Sequence, residues 1–106
     1  MAKAIPQLID GEWRESRARE FIEVTDPATQ EVLALTPKAT AEEIEAAIAS
    51  AKAAFITWRE VPVSDRARVM LRYQHLLKEH HDELAEILAG ETGKTLADAK
   101  GDVDRK

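Results

Sequence analysis

The sequence predicts an α+β fold that is mainly helical, with N-terminal β-hairpins followed by two long helices and the start of a third. Two observations predict this class. Short strand-forming stretches flank turn residues in the first third of the chain, and apolar residues recur at steps of three and four over most of the remainder. We expect a single unit in which residues 1–38 form the hairpin region and residues 39–106 the helical region.

Two hairpins are predicted in the first 38 residues. The Asp10-Gly11 pair lies between two short strand-forming stretches, and both residue types tolerate the positive φ of a two-residue turn. The stretches 21–24 and 32–35 predict a second hairpin, with Pro27 opening the loop between them. Both turns are therefore expected to join antiparallel strands.

The first helix is predicted to begin at Thr40. Thr40 and Glu43 have the spacing of a capping box, in which each side chain satisfies a backbone N–H of the other residue. An apolar stripe then follows at helical spacing, formed by Ile44, Ala47, Ile48, Ala51, Phe55 and Trp58. Pro62 is expected to end this element.

The second helix is predicted to run without interruption from Asp65 to about Ala89, with Ser64 as its N-cap residue. Its apolar face is too broad for the first helix alone to cover. The face is formed by Met70, Tyr73, Leu77, Leu84 and Leu88. Because a bare apolar face favours association, we expect a homodimer or higher oligomer with the second helix at the interface.

The composition excludes several classes of function. Of the 106 residues, 44% are hydrophobic and 33% are charged, which is typical of a soluble globular domain. The net charge of −5 gives no general attraction to nucleic acid. No stretch has the roughly 20 apolar residues that span a bilayer or the roughly 7–15 of a signal peptide, so we expect no membrane partner and a cytoplasmic location.

The histidines and the acidic clusters predict no metal site. His80 and His81 are adjacent, so they lie on different faces of a helix, and no H-E-x-x-H pattern includes them or His75. These rings are expected to pack against neighbours or to face solvent. The acidic clusters are expected to be solvated helix faces, formed by Glu42, Glu43 and Glu45 and by Asp82, Glu83 and Glu86.

The run from Gly90 to Thr95, with the sequence Gly-Glu-Thr-Gly-Lys-Thr, is similar to part of a phosphate-binding loop. That loop needs four residues between its glycines and a buried strand before it, whereas two residues separate Gly90 from Gly93 and a helix precedes them. We therefore interpret the two glycines as the end of the second helix. Thr95 and Asp98 have the spacing of a cap for the third helix.

Several motifs together resemble the aldehyde dehydrogenase superfamily. They are the stretches Ile9 to Trp13 and Asp26 to Val32, and the Ala-Phe-x-x-Trp pattern at Ala54 to Trp58. The second half is similar to the CoA-acylating methylmalonate-semialdehyde (malonate-semialdehyde) dehydrogenase branch, over Leu71 to Glu79, Glu91 to Ala99 and Gly101 to Val103. The resemblance covers almost the whole chain but only the N-terminal part of such an enzyme.

The resemblance implies a partial aldehyde dehydrogenase fold, without the catalytic domain and most of the NAD-binding domain. Enzymes of this branch attack the aldehyde with a Cys thiolate, pass a hydride to NAD and release the acyl group to CoA. The sequence contains no Cys. We therefore expect no catalytic residue and no bound cofactor in the chain itself, with NAD and CoA acting in the complete enzyme. The isolated chain is expected to be inactive.

Arg105 is the one residue for which the resemblance implies a contact with substrate. The family has an Arg in a Gly-Asp/Glu-Val-x-Arg-Gly stretch that holds the substrate carboxylate, and Arg105 falls on it. A guanidinium suits a carboxylate because two parallel N–H groups can bind its two oxygens. The sequence departs from the stretch at Asp104 and Lys106, and Asp104 is an alternative ion-pair partner for Arg105.

Two functions remain open from the sequence. In the first, the chain is the beginning of a semialdehyde dehydrogenase and supplies part of its fold. In the second, the chain acts alone as a helical interaction or assembly module that derives from the enzyme but lacks its chemistry. The motifs support the enzyme segment, and the broad apolar face of the second helix supports the module.

Overall fold

A computed structural model describes residues 2–105 of the chain. Internal contacts divide these residues into two compact units. Unit 1 comprises residues 2–25 and 32–61, and unit 2 comprises residues 26–31 and 62–105. The contacts group the first helix with the hairpins, whereas the sequence-based division at residue 38 placed it with the other helices. The organisation of the chain as a single unit stays a prediction.

The first hairpin of unit 1 matches its prediction. Strand β1 (Gln7–Ile9) pairs antiparallel with strand β2 (Glu12–Arg14). The two residues between them, Asp10 and Gly11, have φ angles of 54° and 74°. A type I′ turn requires positive φ at both central positions, so these angles confirm the expected two-residue hairpin.

The second hairpin is also confirmed. Strand β3 (Phe21–Thr25) pairs antiparallel with strand β4 (Val32–Pro37). On its other edge, β4 pairs with the start of the chain, where the Ile5 amide donates to the Leu35 carbonyl at 2.9 Å and the Leu35 amide donates to the Lys3 carbonyl at 3.0 Å. Strand β4 is therefore hydrogen-bonded on both edges.

Helix α1 (Ala41–Trp58) begins with the predicted capping box. The Glu43 amide donates to the Thr40 hydroxyl at 3.2 Å, and the Thr40 amide donates to the Glu43 carboxylate at 3.2 Å. The same carboxylate accepts the Ser16 hydroxyl at 2.7 Å and the Arg17 amide at 2.6 Å. Glu43 therefore ties the start of α1 to the segment between β2 and β3.

The hydrogen bonds to Glu43 also change its acidity. The Ser16 hydroxyl, followed by the Arg17 amide, holds the pKa of the Glu43 carboxyl below its usual value, because both donors stabilise the ionised form. Along the rest of α1 the predicted apolar stripe is present but not covered. No residue of α1 is buried, and Phe55 is 58% exposed.

One prediction about unit 2 is wrong. The helix expected to run from Asp65 to about Ala89 is two helices, α2 (Val63–Glu79) and α3 (His81–Thr92). They meet at His80, whose φ of −101° and ψ of 17° lie outside the helical range. The His80 amide donates to the Leu76 carbonyl at 3.1 Å and closes α2, while the His80 carbonyl accepts the first hydrogen bond of α3.

The charged residues around this break suit two helix ends. Lys78 lies in the last turn of α2, and Asp82 and Glu83 lie in the first turn of α3. Each charge is opposite in sign to the partial charge of its helix end, which stabilises both ends. The start of α2 also differs from the prediction, because Pro62 rather than Ser64 is the N-cap residue.

Helix α4 (Leu96–Asp104) packs against α3. Ala85 of α3 and Ala99 of α4 are both fully buried, and small side chains at a helix contact allow the two axes to come close. The Thr95 hydroxyl accepts the Asp98 amide at 3.3 Å. The third helix predicted from the sequence is α4, and this hydrogen bond confirms its predicted cap.

The turn between α3 and α4 depends on Gly93. Its φ is 73°, and its amide donates to the Ala89 carbonyl at 2.9 Å, so it is the left-handed residue that ends α3. Gly90 lies inside α3 and does not end it. The predicted glycine stop is therefore confirmed for Gly93 and wrong for Gly90.

We predict that Gly93→Ala destabilises unit 2 by about 1 kcal/mol, because a left-handed backbone costs a residue with a Cβ roughly this much. A lack of space is not the cause. The new Cβ would lie 3.5 Å from the Pro27 Cβ and Cγ atoms, which is an ordinary van der Waals contact.

Gly101→Ala is the matched control for this prediction. Its new Cβ would lie 3.8 Å from Arg105 Nη1, and alanine inside a helix is favoured over glycine by up to about 1 kcal/mol. Urea denaturation followed by circular dichroism measures both variants. Equal midpoints for the two would contradict the need for a left-handed glycine at residue 93.

Candidate functional site

Arg105, the substrate-binding residue that the sequence resemblance implies, is the C-cap residue of α4. Its guanidinium Nη2 donates to Asp102 Oδ1, three residues earlier in the chain. The Arg105 side chain is 72% exposed, whereas the Asp102 side chain is 20% exposed. The guanidinium is therefore fixed at one nitrogen while most of its surface faces solvent.

The Asp102 carboxylate is shared between two cations. The Lys94 ammonium, from the turn between α3 and α4, donates to Oδ2, and Arg105 donates to Oδ1. Both contacts hold the pKa of the Asp102 carboxyl below its usual value, and the contact with Lys94 has the larger effect. One carboxylate thus joins the turn to the C-terminal end of α4.

The Arg105 guanidinium has the chemistry to bind a second anion. A guanidinium has five N–H donors in a planar fork. Among these nitrogens of Arg105, Nη2 makes the hydrogen bond to Asp102. The other donors suit a carboxylate or phosphate oxygen pair. The site therefore combines an exposed cation with a carboxylate that restricts its orientation.

Asp104 does not pair with Arg105, which corrects the alternative drawn from the sequence. Its Oδ1 lies 2.8 Å from Nε2 of His81, at the start of α3. Nε2 also lies 3.3 Å from the Lys100 carbonyl, and the second ring nitrogen, Nδ1, lies 3.1 Å from Asp82 Oδ1. Together these contacts raise the pKa of the His81 imidazole, with the Asp82 hydrogen bond contributing most.

The other two histidines considered in the sequence analysis, His75 and His80, contact carboxylates on their own or the adjoining helix. His75 Nε2 lies 3.0 Å from Glu79, and His80 Nδ1 lies 3.0 Å from Glu83. Across residues 2–105, no three His, Asp or Glu side chains come together as a metal site. In the same part of the chain, no helix combines the length and apolar character needed to cross a bilayer.

Comparison with known proteins gives this site a context. Residues 13–106 match the aldehyde dehydrogenase family. The chain belongs to that family. Malonate-semialdehyde dehydrogenase 1 of Geobacillus kaustophilus is 47% identical over 101 residues, which are 95% of this chain and 21% of the relative. The mitochondrial acylating methylmalonate-semialdehyde dehydrogenase of Arabidopsis thaliana is 46% identical over 105 residues, which are 99% of this chain and 17% of that protein.

Solved structures of aldehyde dehydrogenases have the same fold over this segment. A crystal structure described as methylmalonate-semialdehyde dehydrogenase of Sinorhizobium meliloti, complexed with NAD, matches 99% of this chain and 21% of its own, with a TM-score of 0.92 and 37% identity. Lactaldehyde dehydrogenase of Escherichia coli matches 98% of this chain and 22% of its own, with a TM-score of 0.93 and 28% identity.

These comparisons confirm the family resemblance and the α+β, mainly helical fold class expected from the sequence. The fold of the chain matches the N-terminal part of the aldehyde dehydrogenase fold. It spans about a fifth of the length of the relatives that it matches. The role of Arg105 in binding substrate is not tested by the comparisons and stays a prediction.

We predict that Lys94→Met and Arg105→Met each raise the pKa of the Asp102 carboxyl, with the larger rise for Lys94→Met because its contact has the larger effect. NMR titration of the Asp102 carboxyl carbon measures this change. Since folding depresses this pKa, the stabilisation from Asp102 is present above its unfolded pKa and is lost as the pH falls through the folded value.

Lys100→Met is the control for the Asp102 titration. Lys100 lies on the same helix, but its ammonium is 3.7 Å from Asp82 Oδ1, so its removal should leave the Asp102 titration unchanged. If neither Lys94→Met nor Arg105→Met changed the titration of Asp102, the contacts of its carboxylate with Lys94 and Arg105 would not form in solution.

Proposed function

We propose that this chain functions as the N-terminal part of an NAD-dependent, CoA-acylating dehydrogenase that oxidises malonate semialdehyde or methylmalonate semialdehyde. The supporting observation is the similarity of nearly the whole chain to dehydrogenases named for these two substrates. Among the two solved structures compared above, the methylmalonate-semialdehyde dehydrogenase also shares more residues with this chain than the lactaldehyde dehydrogenase does.

In the proposed enzyme, NAD supplies the hydride acceptor and CoA takes the acyl group. The sequence has no Cys. The thiolate nucleophile and the contacts to NAD and CoA are therefore proposed to belong to parts of the enzyme beyond these 106 residues, and the chain by itself to be inactive. The cytoplasmic location expected from the sequence is part of the same proposal.

Arg105 is proposed to bind the carboxylate that distinguishes these semialdehydes from simple aldehydes. Its guanidinium is exposed and has donors beyond the one that contacts Asp102. The Asp102 contact restricts the rotamers of the long side chain, so less conformational entropy is lost when a substrate carboxylate binds. An aldehyde without a carboxylate would leave the guanidinium without this partner. The enzyme would therefore bind the semialdehyde, which carries a carboxylate, more tightly than an uncharged aldehyde.

The proposal is tested in a hybrid that joins this chain to the catalytic remainder of the Geobacillus kaustophilus enzyme, in place of its matching segment. We predict NADH formation that requires malonate semialdehyde and CoA. In the Arg105→Gln hybrid, kcat/KM should fall about 10- to 100-fold, because a charge-assisted pair of hydrogen bonds is lost. With propanal, which has no carboxylate, the same variant should change kcat/KM little.

Lys100→Gln is the matched control, since Lys100 is a cation of the same helix that lies near Asp82. It should leave kcat/KM near that of the parent hybrid, and the 106-residue chain alone serves as the blank. An equal loss with both substrates in Arg105→Gln would contradict the carboxylate role of Arg105. A hybrid that oxidises propanal but never malonate semialdehyde would contradict the proposed substrate class.

A second role, as an assembly module, is supported by the surface of α2. No residue of α2 is buried. One side of the helix carries apolar residues that are 37–71% exposed, namely Val63, Val69, Met70, Tyr73 and Leu76. Leu77, Leu84 and Leu88, which belonged to the face expected from the sequence, are half-buried. The two α3 leucines of the expected face are therefore partly covered, although Ile87 of α3 is 53% exposed, and the largest group of exposed apolar side chains lies on α2.

We propose that a second copy of the chain covers this face of α2. Each large apolar side chain removed from water contributes about 1.5–3 kcal/mol, so four or five of them offset a pairing cost of roughly 4–15 kcal/mol. The narrow margin favours association at micromolar concentrations or weaker. A homodimer is expected because one self-complementary face per chain closes most simply about a two-fold axis.

We predict that Leu76→Glu abolishes this association, whereas Leu71→Glu does not. Both leucines are exposed, at 51% and 62%. Leu71 lies about 140° around the helix from Leu76, outside the proposed face. Sedimentation equilibrium over roughly a hundredfold range of concentration measures the effect. A constant monomer mass for the unaltered, folded chain would rule out the assembly role.

A further inference from the structure

The His81 ring joins α3 to α4 through both of its nitrogen atoms. Nε2 lies 2.8 Å from Asp104 Oδ1 and 3.3 Å from the Lys100 carbonyl, both in α4. Nδ1 lies 3.1 Å from Oδ1 of Asp82, the next residue of α3. The ring is 26% exposed, whereas the two carboxylates are 68% and 78% exposed. The imidazole is therefore the least solvated member of this group.

Both ring nitrogens face oxygen atoms that can only accept a hydrogen bond. Ionised carboxylates and a backbone carbonyl have no proton to donate, so each nitrogen needs an N–H of its own. A neutral imidazole has a single N–H, and its other nitrogen would direct a lone pair at a carboxylate oxygen. The geometry around His81 therefore fits the imidazolium, which donates from both nitrogens.

The other charged groups near the ring come from three helices. The Lys100 ammonium of α4 lies 3.7 Å from Asp82 Oδ1 and partly neutralises the charge of that carboxylate. His81, Asp82 and Asp104 line a surface depression of about 400 Å³. Lys78 and Glu79, at the end of α2, also line it and add one charge of each sign. Glu83 of α3 also lines it, but its carboxylate lies 3.0 Å from His80. Asp82 and Asp104 are therefore the carboxylates that contact the His81 ring.

We propose that His81 is a proton-dependent clamp between α3 and α4: its imidazolium holds Asp82 and Asp104 together, and loss of the proton weakens that link. Asp104 is the last residue of α4, so the weakening loosens the C-terminal end of this helix. Ala99 remains packed in the middle of α4, and the helix as a whole stays in place. The clamp does not depend on the proposed enzymatic function.

The direction of the pH response follows from the shift in acidity. The contacts of His81 raise the pKa of its imidazole, so the folded chain binds the proton more tightly than the unfolded chain does. The stabilisation is fully present below the usual imidazole pKa of about 6.5 and is lost as the pH rises through the folded-state value. Mildly alkaline conditions therefore open the end of α4 more often.

Hydrogen exchange of the α4 amides in the 106-residue chain tests the clamp at pH about 5.5 and about 8.0, on either side of the imidazole titration. The comparison uses protection factors, which correct for the intrinsic pH dependence of exchange. We expect the protection factors of residues 101–104 to be about two- to fivefold lower at the higher pH, the effect of one partly exposed ion pair. The His81 ring should also titrate at a lower pH in Asp104→Asn than in the unaltered chain.

Two variants complete the experiment. His81→Gln should remove the pH dependence of α4 protection. His80→Gln is the matched control and should keep that dependence, because the His80 ring contacts Glu83 within α3. The proposal is overturned if α4 protection in the unaltered chain is equal at both pH values, or if Asp104→Asn leaves the His81 titration unchanged. Protection of the α3 amides reports in every sample whether the fold is intact.

Discussion

Backbone groups at helix ends need hydrogen-bond partners, and this requirement organises both units of the chain. Ala85 and Ala99 are the only buried side chains among residues 2–105, so each unit has little apolar core of its own. The helix ends supply specific contacts instead. Glu43 closes a capping box and also accepts two donors from the segment before β3. Gly93 allows the left-handed turn that lets α4 return along α3.

The C-terminal end of α4 is held by two charge networks with opposite pH dependence. Asp102 loses its contribution when acid protonates the carboxyl, because its pKa is depressed. His81 loses its contribution when base removes a proton, because its pKa is raised. The end of α4 is therefore held most firmly at intermediate pH. Arg105 lies at this end, so the same networks fix the guanidinium proposed to bind substrate.

Exposed apolar side chains connect the fold to its two proposed roles. Neither α1 nor α2 contains a buried residue, although each carries an apolar stripe. In the proposed enzyme, further parts of the dehydrogenase would cover such surfaces, and in the proposed dimer a second copy would cover the face of α2. Substrate binding is proposed at the end of α4 and association on α2, so each role can be altered without changing the residues of the other.

The sequence by itself determined both hairpins, the caps of α1 and α4, and the family, but not every helix boundary. Turns and caps involve residues within a few positions of one another, so Thr40 and Glu43 could be paired from their spacing alone. Arg105 came from the family resemblance, because a terminal Arg in a charged stretch has no local pattern. Only the tertiary structure revealed the helix break at His80, since the apolar periodicity continues through it, and the pairing of His81 with a carboxylate of α4. That pair is distant in sequence, and it forms because the turn after α3 brings α4 back alongside it.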